Sequence, residues 1–238
     1  MRARRLLFTA VLILTLIACA PSKTVESDGP VPTQSQTPEE TAPTELVWTD
    51  QSFVRDFTAD DGTVVMSVEY LFPGITRAEQ VPAWQKIQDY YAAEGMAYLN
   101  DAADLAGYAA GDYEVAKAMG EDFLPYGESM SYRISLQTED LASIVRSYYA
   151  NSVTGAAHPS NFQFSETFDL TTGEKLTLDD CFTDAAAGRT RALDLLAQKG
   201  GDAGYSRESL EAELNDAYFY LNDEGMVIYY QPDTLAPY

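Results

Sequence analysis

The chain has 238 residues, with 37 acidic side chains, 15 basic ones and a single histidine, for a formal charge of −22. That charge, with no Lys/Arg cluster beyond the first five residues, excludes a nucleic-acid binder that works by phosphate neutralisation, and one histidine excludes a multi-histidine metal centre. Apolar residues at 46% and aromatics at 12% exclude global disorder.

Arg2, Arg4 and Arg5 precede an almost wholly apolar stretch from Leu6 to Ile17. It is too short to span a bilayer, which takes about 20 residues, and has the length of a signal-peptide core. Leu16-Ile17-Ala18-Cys19 follows and resembles the bacterial lipobox, in which the cysteine is acylated and the leader is cut just before it. The expectation is a signal peptide over 1–18, lipidation at Cys19, and attachment to the outer face of the cell membrane through a diacylglyceryl anchor. Cleavage would remove three arginines and no acids, making the mature charge −25. It would also leave Cys181 as the only free thiol, so no internal disulfide is expected.

Residues 19–45 read as the lipidated cysteine and a linker. Of residues 20–44, 14 are Pro, Gly, Ser or Thr and none is aromatic, so the segment cannot bury enough apolar surface to offset its ordering entropy. As a flexible coil it would span on the order of 25–30 Å.

The folded body starts near Leu46. Val47 to Phe57 reads as a strand, Asp60-Asp61-Gly62 as a hairpin turn, and Thr63 to Phe72 as the partner strand, stopped by Pro73-Gly74. The acids do not match a calcium loop: counted from Asp56, Asp61 stands where glycine is needed and Ser67 where a bidentate acid is needed. Ala78 to Met119 is helical in period, with Trp84, Ile87, Tyr91, Tyr98, Ala102 and Leu105 along one face. That stripe suits packing on a sheet better than ligand stacking, and Gly95 inside it is a candidate kink. Beyond Tyr126 the pattern turns to β: Ser131 to Gln137, Leu141 to Tyr149, and Asn161 to Leu170, where Phe162, Phe164 and Phe168 share a face with Glu166. Thr171-Thr172-Gly173 is a turn and Lys175 to Leu178 a short strand. Phe182 to Leu196 and Ser206 to Asp216 read as helices, the second with Ser206 as cap and Ser209 where Glu would complete a capping box. Tyr218 to Leu221 and Met226 to Tyr230 close the chain as a hairpin around Asn222-Asp223-Glu224-Gly225. The fold class expected is α+β, a mainly antiparallel sheet packed against one long helix and two shorter C-terminal helices.

Three stretches in this order carry a family resemblance: Thr154-Gly155-Ala156-Ala157-His158, then Phe168-Asp169-Leu170-Thr171-Thr172-Gly173-Glu174-Lys175-Leu176-Thr177-Leu178-Asp179-Asp180-Cys181-Phe182, then Tyr218-Phe219-Tyr220-Leu221-Asn222-Asp223-Glu224-Gly225-Met226-Val227-Ile228-Tyr229-Tyr230. They resemble the extracellular module shared by the non-catalytic part of PdaC-type peptidoglycan deacetylases and the lysozyme-sensing ectodomain of RsiV-type anti-sigma factors. The resemblance covers about 46–238. It implies an N-terminal PdaC-like α+β module over 46–135 and an RsiV-like C-terminal α+β module over 136–238 that ends a strand short of the family's pattern. Ala156 stands where the family has a second glycine, and Cys181 where it has a larger aliphatic. The deacetylase's catalytic domain, with its Asp and His metal set, has no counterpart in this sequence.

The resemblance therefore implies a non-enzymatic, lipid-anchored extracellular binding or sensing module of the bacterial envelope. Its partner would be a cationic lysozyme-like protein or, alternatively, peptidoglycan beside a separate deacetylase. No cofactor and no metal are expected. The candidate binding residues are His158, Gly155, Tyr149, Tyr229 and Tyr230. In Tyr148-Tyr149 and Tyr229-Tyr230, strand alternation sends one ring inward and one outward. A Cys181–His158 catalytic pair is disfavoured because acidic neighbours raise a thiol's pKa, and His158 suits a turn-organising role. Asp179-Asp180 could in principle serve glycoside hydrolysis, but in so acidic a chain a capping or solvated role fits better. Net acidity alone steers cationic partners and repels anionic ones.

Overall fold

The computed structural model describes residues 43, 45–151, 159–201, 204–214, 218–232 and 234–235. The element order is β1 (Trp48–Thr58), β2 (Val64–Ile75), α1 (Pro82–Met119), β3 (Tyr126–Gln137), β4 (Leu141–Asn151), β5 (Ser160–Asp169), α2 (Ala185–Gly201), α3 (Arg207–Glu213), β6 (Tyr218–Asn222) and β7 (Gly225–Tyr229), with 3-10 turns at Ala78–Gln80 and Asp179–Cys181. This is the α+β class expected: a mostly antiparallel sheet, one long helix and two shorter ones.

Five strands form one sheet in chain order, β1-β2-β3-β4-β5. Every neighbouring pair is antiparallel except β2 and β3, which run parallel from Met66↔Tyr126 to Tyr70↔Met130. A parallel pair needs a long crossover, and the 38 residues of α1 supply it. Pro82 opens this helix, where a missing N–H costs nothing. Gly120 closes it at φ 72, with Glu121 N bonded to Ala116 O and Gly120 N to Lys117 O, a Schellman arrangement. The helix buries Ala83, Trp84, Ile87, Tyr91 and Ala102 against the sheet face that carries Met66, Val68, Tyr70, Phe72, Met130 and Ile144. At Gly95 an added Cβ would lie 2.2 Å from the Phe53 ring, so glycine is there to let an aromatic of β1 press against the helix backbone.

The boundary expected at 135/136 falls inside β3, and strands from both sides of it belong to the same sheet. Two expectations about the strands are corrected. Pro73-Gly74 does not stop β2, which runs on to Ile75. Beyond Tyr70 the strand has only β1 beside it, and a proline is tolerated in such an edge stretch. Lys175 to Leu178 forms no strand, only a single bridge between Lys175 and Phe168, because Gly173 turns the chain at φ 73 against the Ala83 carbonyl and the segment then winds into the turn at Asp179.

The β6–β7 hairpin is a separate two-stranded sheet laid on the outward face of β3, β4 and β5. Hydroxyl groups stitch it down: Ser165 Oγ donates to Phe219 O (2.6 Å), Leu221 N to Ser143 Oγ (2.9 Å), and Ser143 Oγ shares a hydrogen with Thr167 Oγ1 (2.9 Å). Beneath α2 and α3 a second, smaller core gathers Leu178, Leu193, Leu210 and Leu214. Ser206 caps α3 by accepting from Ser209 N at 3.1 Å, and the Ser209 hydroxyl meets Ser206 Oγ at 2.9 Å, so only one half of the capping box is made. No helix among the described residues is long and apolar enough to cross a membrane.

Candidate functional site

The most unusual chemistry lies between α1 and the β4–β5 edge. Residues 142, 144, 146, 148 and 150 of β4 point toward the helix, and the strand's alternation therefore carries Arg146 into the core at 3% exposure. Glu166 of β5, also on the helix side, is 5% exposed. The two form a two-point ion pair, Arg146 Nη2 to Glu166 Oε1 and Nε to Oε2 (3.2 Å). Tyr91 Oη donates to Glu166 Oε2 at 3.2 Å and Tyr90 Oη to Oε1 at 3.5 Å. Arg146 Nη2 also donates to Glu94 Oε2 at 3.3 Å.

Nη1 of Arg146 has no hydrogen-bond partner among the described residues. The rings of Phe72, Phe164 and Tyr91, with centroids 5.2, 5.4 and 5.9 Å from the guanidinium carbon, account for it, because aromatic faces attract the cation. Burial works against the guanidinium charge, but Glu166 outweighs it and holds the group's pKa above its usual value. Burial, then the Glu166 charge, pushes the Tyr90 and Tyr91 hydroxyls up. Both remain protonated donors at any physiological pH.

From this floor the site opens toward solvent. Glu94 is 35% exposed, and Tyr98 stands one turn further along α1. Tyr98 touches Tyr148 (5.8 Å), Tyr148 stacks on Phe162 (6.3 Å, 26°), Phe162 meets Phe164, and Phe164 meets Tyr218. Phe162 is 38% exposed. A continuous aromatic band thus wraps the β5 edge, rimmed by Glu94 and the exposed Asp101 of α1. A second buried acid, Glu128, accepts from Tyr70 under the same helix. Such an edge offers flat rings and negative charge, the surface that a cationic or sugar-faced ligand needs.

The sequence-based candidates scatter. Cys19, Gly155 and His158 lie outside the described residues. Tyr148 and Tyr149 do split as alternation requires: Tyr148 faces α1, while Tyr149 is 43% exposed on the outward face, paired with Ser129 and Asn161. Tyr229 is occupied structurally, its hydroxyl donating to Gln163 O (3.2 Å) and bonded to Ser165 Oγ (2.9 Å), its ring stacked on Tyr218 at 5.5 Å. Burial leaves the Tyr229 hydroxyl pushed up to about 12, against the hydrogen bonds to Ser165 and Gln163, which pull it down. Tyr230 donates to Leu210 O at 3.3 Å and holds α3 to the hairpin.

Cys181 is half-buried with its sulfur toward Thr177 O. Burial first and Asp180 second raise the thiol's pKa, which disfavours a thiolate. Asp180 closes its own turn by accepting from Thr177 N and Oγ1, and Asp179 pairs with Arg189. Among the described residues no group of three or more His, Cys, Asp or Glu side chains could hold a metal ion. Sequence reasoning passed over Arg146; the signal was an arginine between Val145 and Tyr148 in an apolar strand, and in the sheet it lies diagonal to Glu166, the one acid on the Phe face of β5.

No family model matches the sequence, and no curated protein does. Solved structures do match, and the likeness of the first described below is one of fold. A member of the DUF3298 family from Bacteroides fragilis superimposes with a TM-score of 0.60 at 16% identity, over 83% of this chain and 88% of that one. A DUF3298 family protein from Pseudomonas aeruginosa gives a TM-score of 0.46 at 15% identity, over 82% of this chain and 86% of that one.

Proposed function

We propose that the chain is a lipid-anchored, extracellular binding module of a bacterial envelope, non-catalytic, whose partner is a cationic protein of the lysozyme type. The observation that carries this reading is the acid-rimmed aromatic band at the α1–β5 edge of a chain charged −22. A rigid band of rings with a half-exposed glutamate is suited to arginine and lysine side chains, and the net charge adds long-range attraction. The fold shared with the Bacteroides DUF3298 protein supports the resemblance to the PdaC- and RsiV-type module.

Calorimetric titration with a basic lysozyme tests it. Binding is expected at low ionic strength, weakening as salt rises, and lost first in the double charge reversal Glu94→Lys with Asp101→Lys. No heat at low salt overturns the lysozyme reading. The anchor has its own test: Cys19→Ser should move the protein from the membrane fraction to the soluble fraction.

A second reading, peptidoglycan binding beside a separate deacetylase, draws on exposed Tyr149 and Phe162, whose rings could stack on sugar faces. Retention on purified cell wall in high salt, reduced by Tyr149→Ala or Phe162→Ala, would favour it over the first.

A further inference from the structure

The strongest departure from the acidic character lies away from the site above, on α2. This helix carries Arg189, Arg191 and Lys199 against one acid, Asp194. Arg189 pairs with Asp179, and Asp194 with Arg207 at 2.6 Å. Arg191 and Lys199 are exposed and make no ion pair among the described residues, in a chain where acids outnumber bases by 37 to 15.

These two cations flank an open groove of about 540 Å³ between α2 and β7. Its floor is apolar: Ala192 and Leu196 from the helix, Met226 and Ile228 from the strand. At one end the Phe182 ring presses on the helix backbone at Gly188, where a Cβ would lie 2.2 Å from it. Gly188, Ala192 and Leu196 repeat every four residues and form one row. Arg191, Leu195 and Lys199 repeat every four residues and form the adjoining rim, about 12 Å from first to last. Leu195, 39% exposed, stands midway between the two cations, so both long side chains can reach a single anionic group placed above it.

An apolar trough of small-molecule size with two uncompensated cations along its rim is complementary to one kind of ligand. We propose that the α2–β7 groove binds a monomeric long-chain carboxylate, the acyl chain lying along Ala192, Leu196, Met226 and Ile228 and the carboxylate held between Arg191 and Lys199. A cationic ligand is repelled there, although the rest of the surface attracts it, so this site has a selectivity opposite to that of the α1–β5 edge.

The test is calorimetry on the full chain carrying Cys19→Ser, with oleate below its micellar concentration, against an amine amphiphile of equal chain length. Expected are 1:1 binding of oleate, no saturable binding of the amine, and about a tenfold loss of oleate affinity in Arg191→Glu with Lys199→Glu. Both substitutions are on exposed positions, and unchanged thermal unfolding checks that the fold is kept. Equal binding of both amphiphiles, or full oleate affinity in the double variant, overturns the proposal. So does a result in which an acidic, apolar peptide binds the groove and oleate does not compete with it. Loss of lysozyme binding leaves this outcome untouched, because the two sites share no residue.

Discussion

Arg146 and Glu166 illustrate how much a single buried pair asks of its surroundings. Removing two charges from water is costly, and the pair persists because Tyr90, Tyr91, Glu94 and three rings take up what the ion pair leaves unmet. Breaking it on one side strands the other charge. Arg146→Met should therefore cost about 3–5 kcal/mol in urea unfolding, while Arg146→Met combined with Glu166→Leu should cost less than the single change. The exposed acids behave differently. The pKa of Asp61 is lowered by the Lys117 ammonium first, then by the Tyr113 hydroxyl and Thr63, and that of Asp169 by backbone N–H groups at its turn. A depressed carboxylate contributes stability above its unfolded pKa and loses it as pH falls through the folded value. Asp61→Asn should thus shrink the difference in unfolding midpoint between pH 7 and pH 3. Glu166 and its phenylalanine neighbours were legible as one strand face from alternation alone. Arg146 was not, because nothing local in a strand tells an arginine which residue will neutralise it twenty positions away.

At the scale of elements, α1 sets two kinds of glycine side by side. Gly95 makes room for Phe53, whereas an added Cβ at Gly107 meets nothing within 4 Å. Helix propensity favours alanine at both by about 0.5–1 kcal/mol. Gly107→Ala should stabilise by that amount, and Gly95→Ala should lower the melting temperature because Phe53 must move. Thermal unfolding of the two variants decides between propensity and packing. The periodicity of Trp84, Ile87 and Tyr91 was enough to predict the helix and its buried face. It could not reveal the reason for Gly95, which is an aromatic ring from a strand more than forty residues earlier. The end of β2 was misplaced on similar grounds: proline breaks a strand only where a partner waits for its N–H.

For the molecule as a whole, eight tyrosines have hydroxyls pushed above their ordinary value, burial being the first cause in each: Tyr70, Tyr90, Tyr91, Tyr98, Tyr132, Tyr148, Tyr229 and Tyr230. An acid whose folded pKa is raised favours the fold below its unfolded value and loses that contribution as pH climbs past it. The fold should hold to about pH 10 and then unfold with rising alkalinity. Ultraviolet titration of tyrosinate should show about half of the sixteen tyrosines ionising only together with the loss of ellipticity. The continuity of the sheet makes a second global prediction. Chains cut at 135/136 divide β3 and separate α1 from β4 and β5. Each piece should be unfolded by circular dichroism, and mixing them should restore structure.

Local chemistry by itself was sufficient for the class of the fold, the long helix, the five strands apart from the start of β3 and the end of β2, and the closing hairpin, because periodicity, turn residues and caps act over a few positions. The same reach covers the acidic surface, since charge counts add without regard to position. What only the tertiary structure decided was the parallel join of β2 to β3, the continuity of β1 to β5 in one sheet, the buried Arg146–Glu166 pair, and the placing of α2, with Arg191 and Lys199, beside the apolar residues of β7. Each of these is a meeting of residues distant in sequence, selected by the free energy of burying whole surfaces together, and no window along the chain contains both partners.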